Sequence, residues 1–121
     1  METNKTIKTD TKCCRMKSER GYCPKPLESA SSFISKKWTI SIIVTIGNFS
    51  VLRFNDLLKR IGSVTAKTLA DRLQELEKKE LVKRRAYNET PPRVEYSLTE
   101  NGTRLLKALS PLMHWAEHRK N

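Results

Sequence analysis

Residues 65–76 carry apolar side chains at the spacing of one helix face. Ala66, Leu69, Leu73 and Leu76 lie three or four positions apart, which is typical of an amphipathic α-helix. Most positions between them are polar or charged, so the opposite face is left for solvent or a partner. Thr65 precedes the stripe, and its hydroxyl can accept a hydrogen bond from a free N–H group of the first turn. The pattern predicts a capped helix that is buried on one side.

A shorter helix is predicted just before it, at residues 54–61, with Gly62 and Ser63 as the turn between the two. This order is typical of a helix-turn-helix, whose second helix enters the major groove of DNA with its first residues at the base edges. We name this second helix the reading helix. Its candidate DNA-binding residues are Thr65, Lys67, Thr68 and Arg72. Lysine and arginine match the acceptors of guanine, and the alternative interpretation is a solvated charged face.

Two strands follow, at residues 81–87 and 93–98, and the second alternates between apolar and polar positions. Thr90, Pro91 and Pro92 stiffen the connection, so the pair predicts a β-hairpin with a basic, proline-containing tip, which is a wing. Its candidate DNA-binding residues are Arg85, Tyr87 and Arg93. The alternative is a hairpin whose charges provide only solubility.

Arg93 follows two prolines, so its backbone should be held still, and an arginine at a wing tip can enter the narrow minor groove of an A·T-rich flank. Arg84 is expected instead to pair with Glu95 across the hairpin, because opposite charges on facing strands stabilise each other. The wing is thus predicted to combine DNA contacts with an internal ion pair.

The segment before the helix-turn-helix predicts two more helices and an edge strand. Residues 27–34 form the first helix. Residues 37–46 are predicted to form a buried helix, because apolar residues occur at both even and odd positions instead of alternating as in a strand. Gly47 is a good C-terminal stop for this helix. The edge strand is predicted at residues 51–53.

The last helix begins after Thr99, which is placed to cap it, and runs towards Lys120 with an expected kink at Pro111. It has more apolar residues than one surface stripe needs, so a second copy of the chain is expected to cover part of it. The terminal helices, residues 24–35 and 100–119, are predicted to form a homodimer interface. Its candidate residues are Leu27, Leu105, Leu109, Leu112, Met113 and Trp115.

Charge supports a nucleic-acid partner. The 121 residues carry a formal net charge of +11, and a strongly basic domain is a common footprint of nucleic-acid binding. Residues 53–93 hold eleven Lys or Arg against six Asp or Glu, so much of the charge falls in the predicted reading helix and wing. An anionic membrane surface or an acidic protein is also compatible with the charge.

Residues 1–21 are polar and are expected to form a mobile arm ahead of one DNA-binding domain at residues 22–121. The chain has no apolar run of about 20 residues, and no apolar region of a secretory signal is present near its start. We therefore expect a cytoplasmic protein whose Cys13, Cys14 and Cys23 are initially reduced.

Candidate chemistry beyond DNA binding is sparse. The sequence has no glycine-rich phosphate loop and no nucleophile elbow, so neither an enzyme nor a cofactor is predicted. His114 and His118 are four residues apart, which is a spacing that can bind a metal, but solvent or interface histidines are far more common and no metal is predicted.

Cys23 stands before a predicted helix start with Arg20 and Lys25 nearby, an environment that stabilises a reactive thiolate. Cys13 or Cys14 could then form a disulfide; the alternative is a cysteine without a regulatory role.

An ordered set of residues from Cys23 to Trp115 resembles the HxlR-type transcriptional regulators of bacteria and archaea. The most specific run is Pro91-Pro92-Arg93-Val94-Glu95-Tyr96, followed by Leu98-Thr99 and Gly102. Further matches are Cys23-Pro24, Leu27, Lys37-Trp38, Arg53-Phe54, Leu57, Lys67, Leu69, Arg72-Leu73, Leu76, Leu81-Val82, Arg84, Leu105 and Trp115. The resemblance implies an α+β, mostly α, winged helix-turn-helix with a two-stranded wing and N- and C-terminal dimerisation helices.

The resemblance also implies a sequence-specific transcriptional regulator that binds an inverted-repeat operator as a homodimer. Some members of the family sense oxidants or electrophiles through a cysteine, and the resemblance carries this role to Cys23. Two alternatives from other classes are a winged helix that binds nucleic acid without sequence preference and a protein-interaction module for an acidic partner.

The chain departs from the family pattern in three places. Glu80 stands where the family usually has glycine, which suggests a different turn between the reading helix and the wing. Thr65-Ala66 replaces Ser-Pro, and both residues still suit a helix start. Pro111 is not typical and affects the geometry expected of the dimer helix.

Overall fold

A computed structural model of the chain describes residues 21–119. The chain divides into two compact units, residues 1–36 and residues 37–121. The arm expected at residues 1–21 lies almost entirely outside the described residues.

In the first unit, helix α1 covers Lys25–Ile34. Pro24 and Pro26 lie at its start, where proline fits because the first N–H groups of a helix have no partner within it. The helix predicted at residues 27–34 is confirmed and begins two residues earlier. No residue of α1 is buried, and Leu27 keeps 68% of its surface exposed.

The described part of the second unit contains four helices and three strands. They are α2 (Thr39–Phe49), β1 (Leu52–Arg53), α3 (Phe54–Ile61), α4 (Ala66–Lys78), β2 (Val82–Tyr87), β3 (Arg93–Leu98) and α5 (Glu100–His118). The strands form one antiparallel sheet in the order β1-β3-β2. Strands β2 and β3 make the predicted wing, and β1 is an edge strand as expected. The predicted winged helix-turn-helix, mostly helical with a small sheet, is confirmed.

Helix α2 lies at the centre of the core. Ile42, Ile43 and Ile46 have no exposed surface, and α3, β3 and α5 all pack against this helix. Complete burial of one such side chain contributes about 1.5–3 kcal/mol. The prediction of a buried helix rather than a strand is confirmed.

Gly47 does not end α2, contrary to the sequence prediction. The helix continues to Phe49 and is followed by Ser50, whose φ is +69°. A Cβ atom at position 47 would collide with the side chain of Leu106 in α5. Glycine therefore leaves room for Leu106 at this position, and it does not form a left-handed stop.

The turn after α4 is closed by Glu80, which adopts a left-handed backbone with a φ of +61°. The Glu80 N–H donates to the carbonyl oxygen of Glu77, and the Leu81 N–H donates to that of Leu76, both over 2.9 Å. These two bonds define a Schellman motif, which usually places glycine at this position. The turn thus has a glycine-type conformation although a glutamate occupies it, and the different turn suggested by the sequence is not seen.

Helix α5 begins at the cap that the sequence predicts. The Thr99 hydroxyl accepts from the Gly102 N–H over 2.9 Å and donates to the carbonyl oxygen of Glu80 over 2.7 Å. The helix runs through Pro111 without interruption, although proline cannot donate the hydrogen bond expected there. Within residues 21–119, no helix has the length and apolar character needed to cross a membrane.

Candidate nucleic-acid interface

The reading helix, α4, is oriented by its buried leucines. Leu69, Leu73 and Leu76 are at most 1% exposed, so the opposite side of the helix must face outward. Ala66, which the sequence places in the same stripe, is exposed because the first turn projects beyond the core.

The start of α4 is fixed by the predicted cap. The Thr65 hydroxyl accepts from the Thr68 N–H over 3.1 Å, and the two threonine hydroxyl oxygens are 3.0 Å apart. This arrangement satisfies one backbone donor of the first turn. The other N–H groups of that turn are left to meet solvent or an anionic partner such as a phosphate.

Lys67 is the most accessible of the predicted contacts on the reading helix. Its side chain is 85% exposed, and its Nζ lies 3.3 Å from a carboxylate oxygen of Asp71, one turn later. An ion pair between such exposed groups contributes only about 0–1 kcal/mol. Lys67 can therefore exchange Asp71 for a phosphate at little cost.

Arg72 is directed differently from the sequence prediction. It is half-buried, and its Nε donates to the backbone oxygen of Lys37 over 3.0 Å. That carbonyl lies directly before Trp38, which has a φ of +79° at the start of α2. Arg72 therefore ties the reading helix to the core helix instead of lying free on the outer face.

The register of the wing corrects one predicted pair. Arg85 lies opposite Glu95, whereas Arg84 lies opposite Tyr96. Directly opposed residues in antiparallel strands share a face, so Arg84 and Glu95 lie on opposite faces of the sheet. The predicted Arg84–Glu95 ion pair is wrong, because the sequence alone did not define the register.

Arg93 is held within the wing rather than free at its tip. Its guanidinium lies 3.2 Å from Glu89 and 3.5 Å from Glu95, and its Cζ is 4.0 Å from the centre of the Tyr87 ring. Only 28% of its side chain is exposed. In this conformation Arg93 braces the wing, and its contact with the minor groove stays a prediction.

Exposed cations of the wing lie on strand β2. Lys83, Arg84 and Arg85 are all exposed, and Arg85 also approaches the ring of Tyr87, with its Cζ 5.1 Å from the centre. Tyr87 is therefore contacted by two arginines. Lys83 was not predicted from the sequence, although its place two residues before Arg85 puts both side chains on one face of the strand.

The predicted dimer residues fall into three groups. Leu112 and Trp115 are 55% and 63% exposed on α5, and Leu27 is exposed on α1. Leu105 and Met113 are half-buried. Leu109 is only 7% exposed, so it packs mainly within its own chain, and its place in an interface stays a prediction.

Cys23 is half-buried and lies two residues before α1. It is disulfide-bonded in the structure. The other predicted redox residues, Cys13 and Cys14, lie outside the described residues.

A helix-turn-helix joined to a basic hairpin defines this molecule as a winged-helix DNA-binding protein. Residues 33–121 match the family described as HxlR-like helix-turn-helix. The chain therefore belongs to the HxlR-like family and is a helix-turn-helix transcriptional regulator.

Similar proteins agree with this assignment. The chain is 41% identical over 96 residues to an HTH-type transcriptional regulator of Halalkalibacterium halodurans, covering 79% of this chain and 85% of the relative. The reduced form of the transcriptional regulator YodB from Bacillus subtilis is 40% identical, with a TM-score of 0.70 over 79% of this chain and 92% of that one. The redox regulator HypR in its oxidized form is 32% identical, with a TM-score of 0.72 over 79% and 98% of the two chains.

Proposed function

We propose that this regulator binds an inverted-repeat operator as a homodimer, with one reading helix and one wing from each subunit on the DNA. The observation that carries the proposal is the outward-facing first turn of α4, where Lys67 is almost fully exposed while the leucines below hold the helix in place. The proposal includes a cytoplasmic location, because the operator is chromosomal.

In this proposal the residues of the reading helix have different tasks. Lys67 contacts a phosphate or a guanine edge, and the hydroxyls of Thr65 and Thr68 lie at the same end of the helix. Arg72 positions the helix through its bond to the Lys37 carbonyl. Asp71 and Glu75 repel phosphate and confine the contacts to the first two turns.

The wing supplies the second set of contacts. Arg85 is exposed on the same face of β2 as Lys83, and both can approach phosphates beside the major-groove site. Tyr87 and Arg93 stack on each other and keep that face of the strand in position. The wing thus contributes sequence-independent affinity, which is sensitive to salt.

Exposed apolar residues support the dimer. Leu112 and Trp115 leave more than half of their surface open on α5, and a second copy of the chain would remove it from water. Leu112→Lys should therefore shift the protein from dimer to monomer in analytical ultracentrifugation. Lys107→Ala, an exposed change on the same helix, serves as the control and should leave the dimer intact.

The DNA contacts are tested by comparing two lysines of the reading helix. A bound sequence is first selected from a random DNA pool, and its affinity is measured over a range of salt concentrations. Lys67→Ala should weaken binding and reduce the slope of log K against log[salt] by about one. Lys78→Ala, an exposed lysine in the last turn of α4, should leave the slope unchanged. Equal slopes for both variants would contradict the proposed orientation.

We also propose that oxidation of Cys23 changes operator binding. The supporting observations are its disulfide and its place before the start of α1, together with the redox state named for the neighbours YodB and HypR. Two thiols would form a disulfide by giving two electrons and two protons to an oxidant such as a peroxide.

This second proposal has its own experiment. Peroxide treatment should alter the operator affinity of the wild type, and a reductant should reverse the change. Cys23→Ser should bind DNA with the same affinity before and after treatment, and Cys13→Ser and Cys14→Ser identify which thiol joins it. An unchanged response in Cys23→Ser would remove the sensing role while leaving the DNA-binding proposal intact.

A further inference from the structure

Three side chains of metal-ligating type meet near the end of α5. His114, Glu117 and His118 are all exposed, and one ligand atom from each lies within 4.8 Å of the other two. The histidines are four residues apart, which places them one above the other on the same helix face. Their imidazole rings meet edge to face, with 4.4 Å between the ring centres.

A backbone contact holds the ring of His118. Its Nδ1 lies 2.9 Å from the backbone oxygen of His114. A carbonyl oxygen can only accept, so Nδ1 carries the proton and the lone pair of the neutral ring lies on Nε2. Metal-binding histidines are commonly fixed in this way by a backbone carbonyl at the nitrogen that does not ligate.

The donor set matches a borderline divalent metal ion. Two imidazole nitrogens and one carboxylate oxygen are ligands of Zn²⁺, and imidazole also suits Ni²⁺ and Cu²⁺. Tetrahedral ligands about 2.0–2.1 Å from Zn²⁺ lie roughly 3.4 Å from one another. Rotation of exposed side chains can bring the three ligand atoms from 4.8 Å to this separation.

We propose that His114, Glu117 and His118 form a binding site for a divalent transition-metal ion, with Zn²⁺ as the probe. His118 binds through Nε2, His114 through a ring nitrogen and Glu117 through a carboxylate oxygen. Water completes the coordination, since a three-residue set leaves a position open. The bound ion joins the last two turns of α5 and opposes fraying of the helix end.

The site lies away from the proposed dimer surface. At about 100° per residue, the midpoint of His114 and His118 is roughly 110° around the helix from that of Leu112 and Trp115. Metal binding therefore does not need a dimer or DNA, and its test can fail while the operator proposal stands.

The experiment uses the untagged full-length chain with all three cysteines replaced, as Cys13→Ser, Cys14→Ser and Cys23→Ser, because thiolates also bind zinc. The sequence contains only two histidines, so these are then the only imidazoles present. Isothermal titration with Zn²⁺ at slightly alkaline pH should show one ion per chain. In NMR spectra, the ring signals of both histidines should shift together.

Matched variants identify the ligands. His118→Ala should weaken binding by more than about tenfold, because even a lost second-shell partner commonly costs 10–100-fold in metal affinity. Glu117→Gln should weaken it by a smaller factor, whereas Glu100→Gln, the same charge change at the other end of α5, should have no effect.

Three results would overturn the proposal. They are an absence of saturable zinc binding, binding that persists unchanged in His118→Ala, and equal affinity for Glu117→Gln and Glu100→Gln. The side chains of Glu100, Glu117 and His118 are exposed, so their substitution should leave the helices intact, and circular dichroism checks this for each variant.

Discussion

The reading helix and the wing both carry basic side chains, but they are held in place by different forces. Three buried leucines fix α4 from below, and Lys67, an accessible cation of its first turn, forms an exposed ion pair with Asp71. The wing projects from the core, and Arg93 braces it through two carboxylates and the ring of Tyr87. In each element, some residues hold the backbone in place, and other basic residues are then available to bind DNA. The buried leucines do this in α4, and Arg93 does it in the wing.

The largest expected effect tests the apolar support of the reading helix. Leu73→Ala should lower the free energy of unfolding by about 2–5 kcal/mol, because it leaves a cavity in the core. Leu73→Met, which keeps most of the volume, should cost less than about 1.5 kcal/mol. Denaturant unfolding measures both variants, and equal small losses would show that burial of this face does not fix the helix.

A smaller effect separates the two arginines of the wing. Arg93→Ala should lower the free energy of unfolding by about 1 kcal/mol, because the cation–π contact and the ion pairs are partly exposed. It should change the salt slope of DNA binding little. Arg85→Ala should show the reverse pattern, with near-normal stability and a slope reduced by about one. If the two variants exchanged these effects, Arg93 would be the DNA contact and Arg85 the brace.

The smallest effect concerns the turn that joins the two elements. Glu80→Gly should raise the free energy of unfolding by about 1 kcal/mol, because a left-handed backbone costs a residue with a Cβ about 1–2 kcal/mol. The same change at Glu77, inside α4, should instead lower it by about 1 kcal/mol. Destabilisation by Glu80→Gly would mean that the glutamate side chain stabilises the turn.

The sequence predicted most of the elements because their signals are local. Leucines at helical spacing identify α4, and Thr65 and Thr99 identify the starts of two helices, since a cap needs only the next three residues. Together these features predicted the winged helix-turn-helix. They also predicted that the first turn of the reading helix faces outward.

The features that the sequence did not predict arise from contacts between distant residues. Gly47 lies inside its helix, where Leu106 of α5, 59 positions later, packs against it. Arg72, Arg93 and Leu109 also have contacts that the sequence did not reveal. Arg72 donates to a backbone oxygen, Arg93 lies beside two carboxylates, and Leu109 packs in the core. A shift of one residue in the hairpin register was enough to place Arg84 on the wrong face.

The most direct test of the account is a footprint on the intergenic DNA beside the protein's own gene. It is made at about 150 mM salt with excess unrelated DNA, where non-specific binding has a Kd of only about 10⁻⁴–10⁻⁶ M. The account predicts tight, competitor-resistant binding with two protected half-sites, about one helical turn or a multiple of it apart. Binding that any competitor removes, with no symmetrical protection there or at sequences selected from random DNA, would contradict a dimeric, sequence-specific regulator.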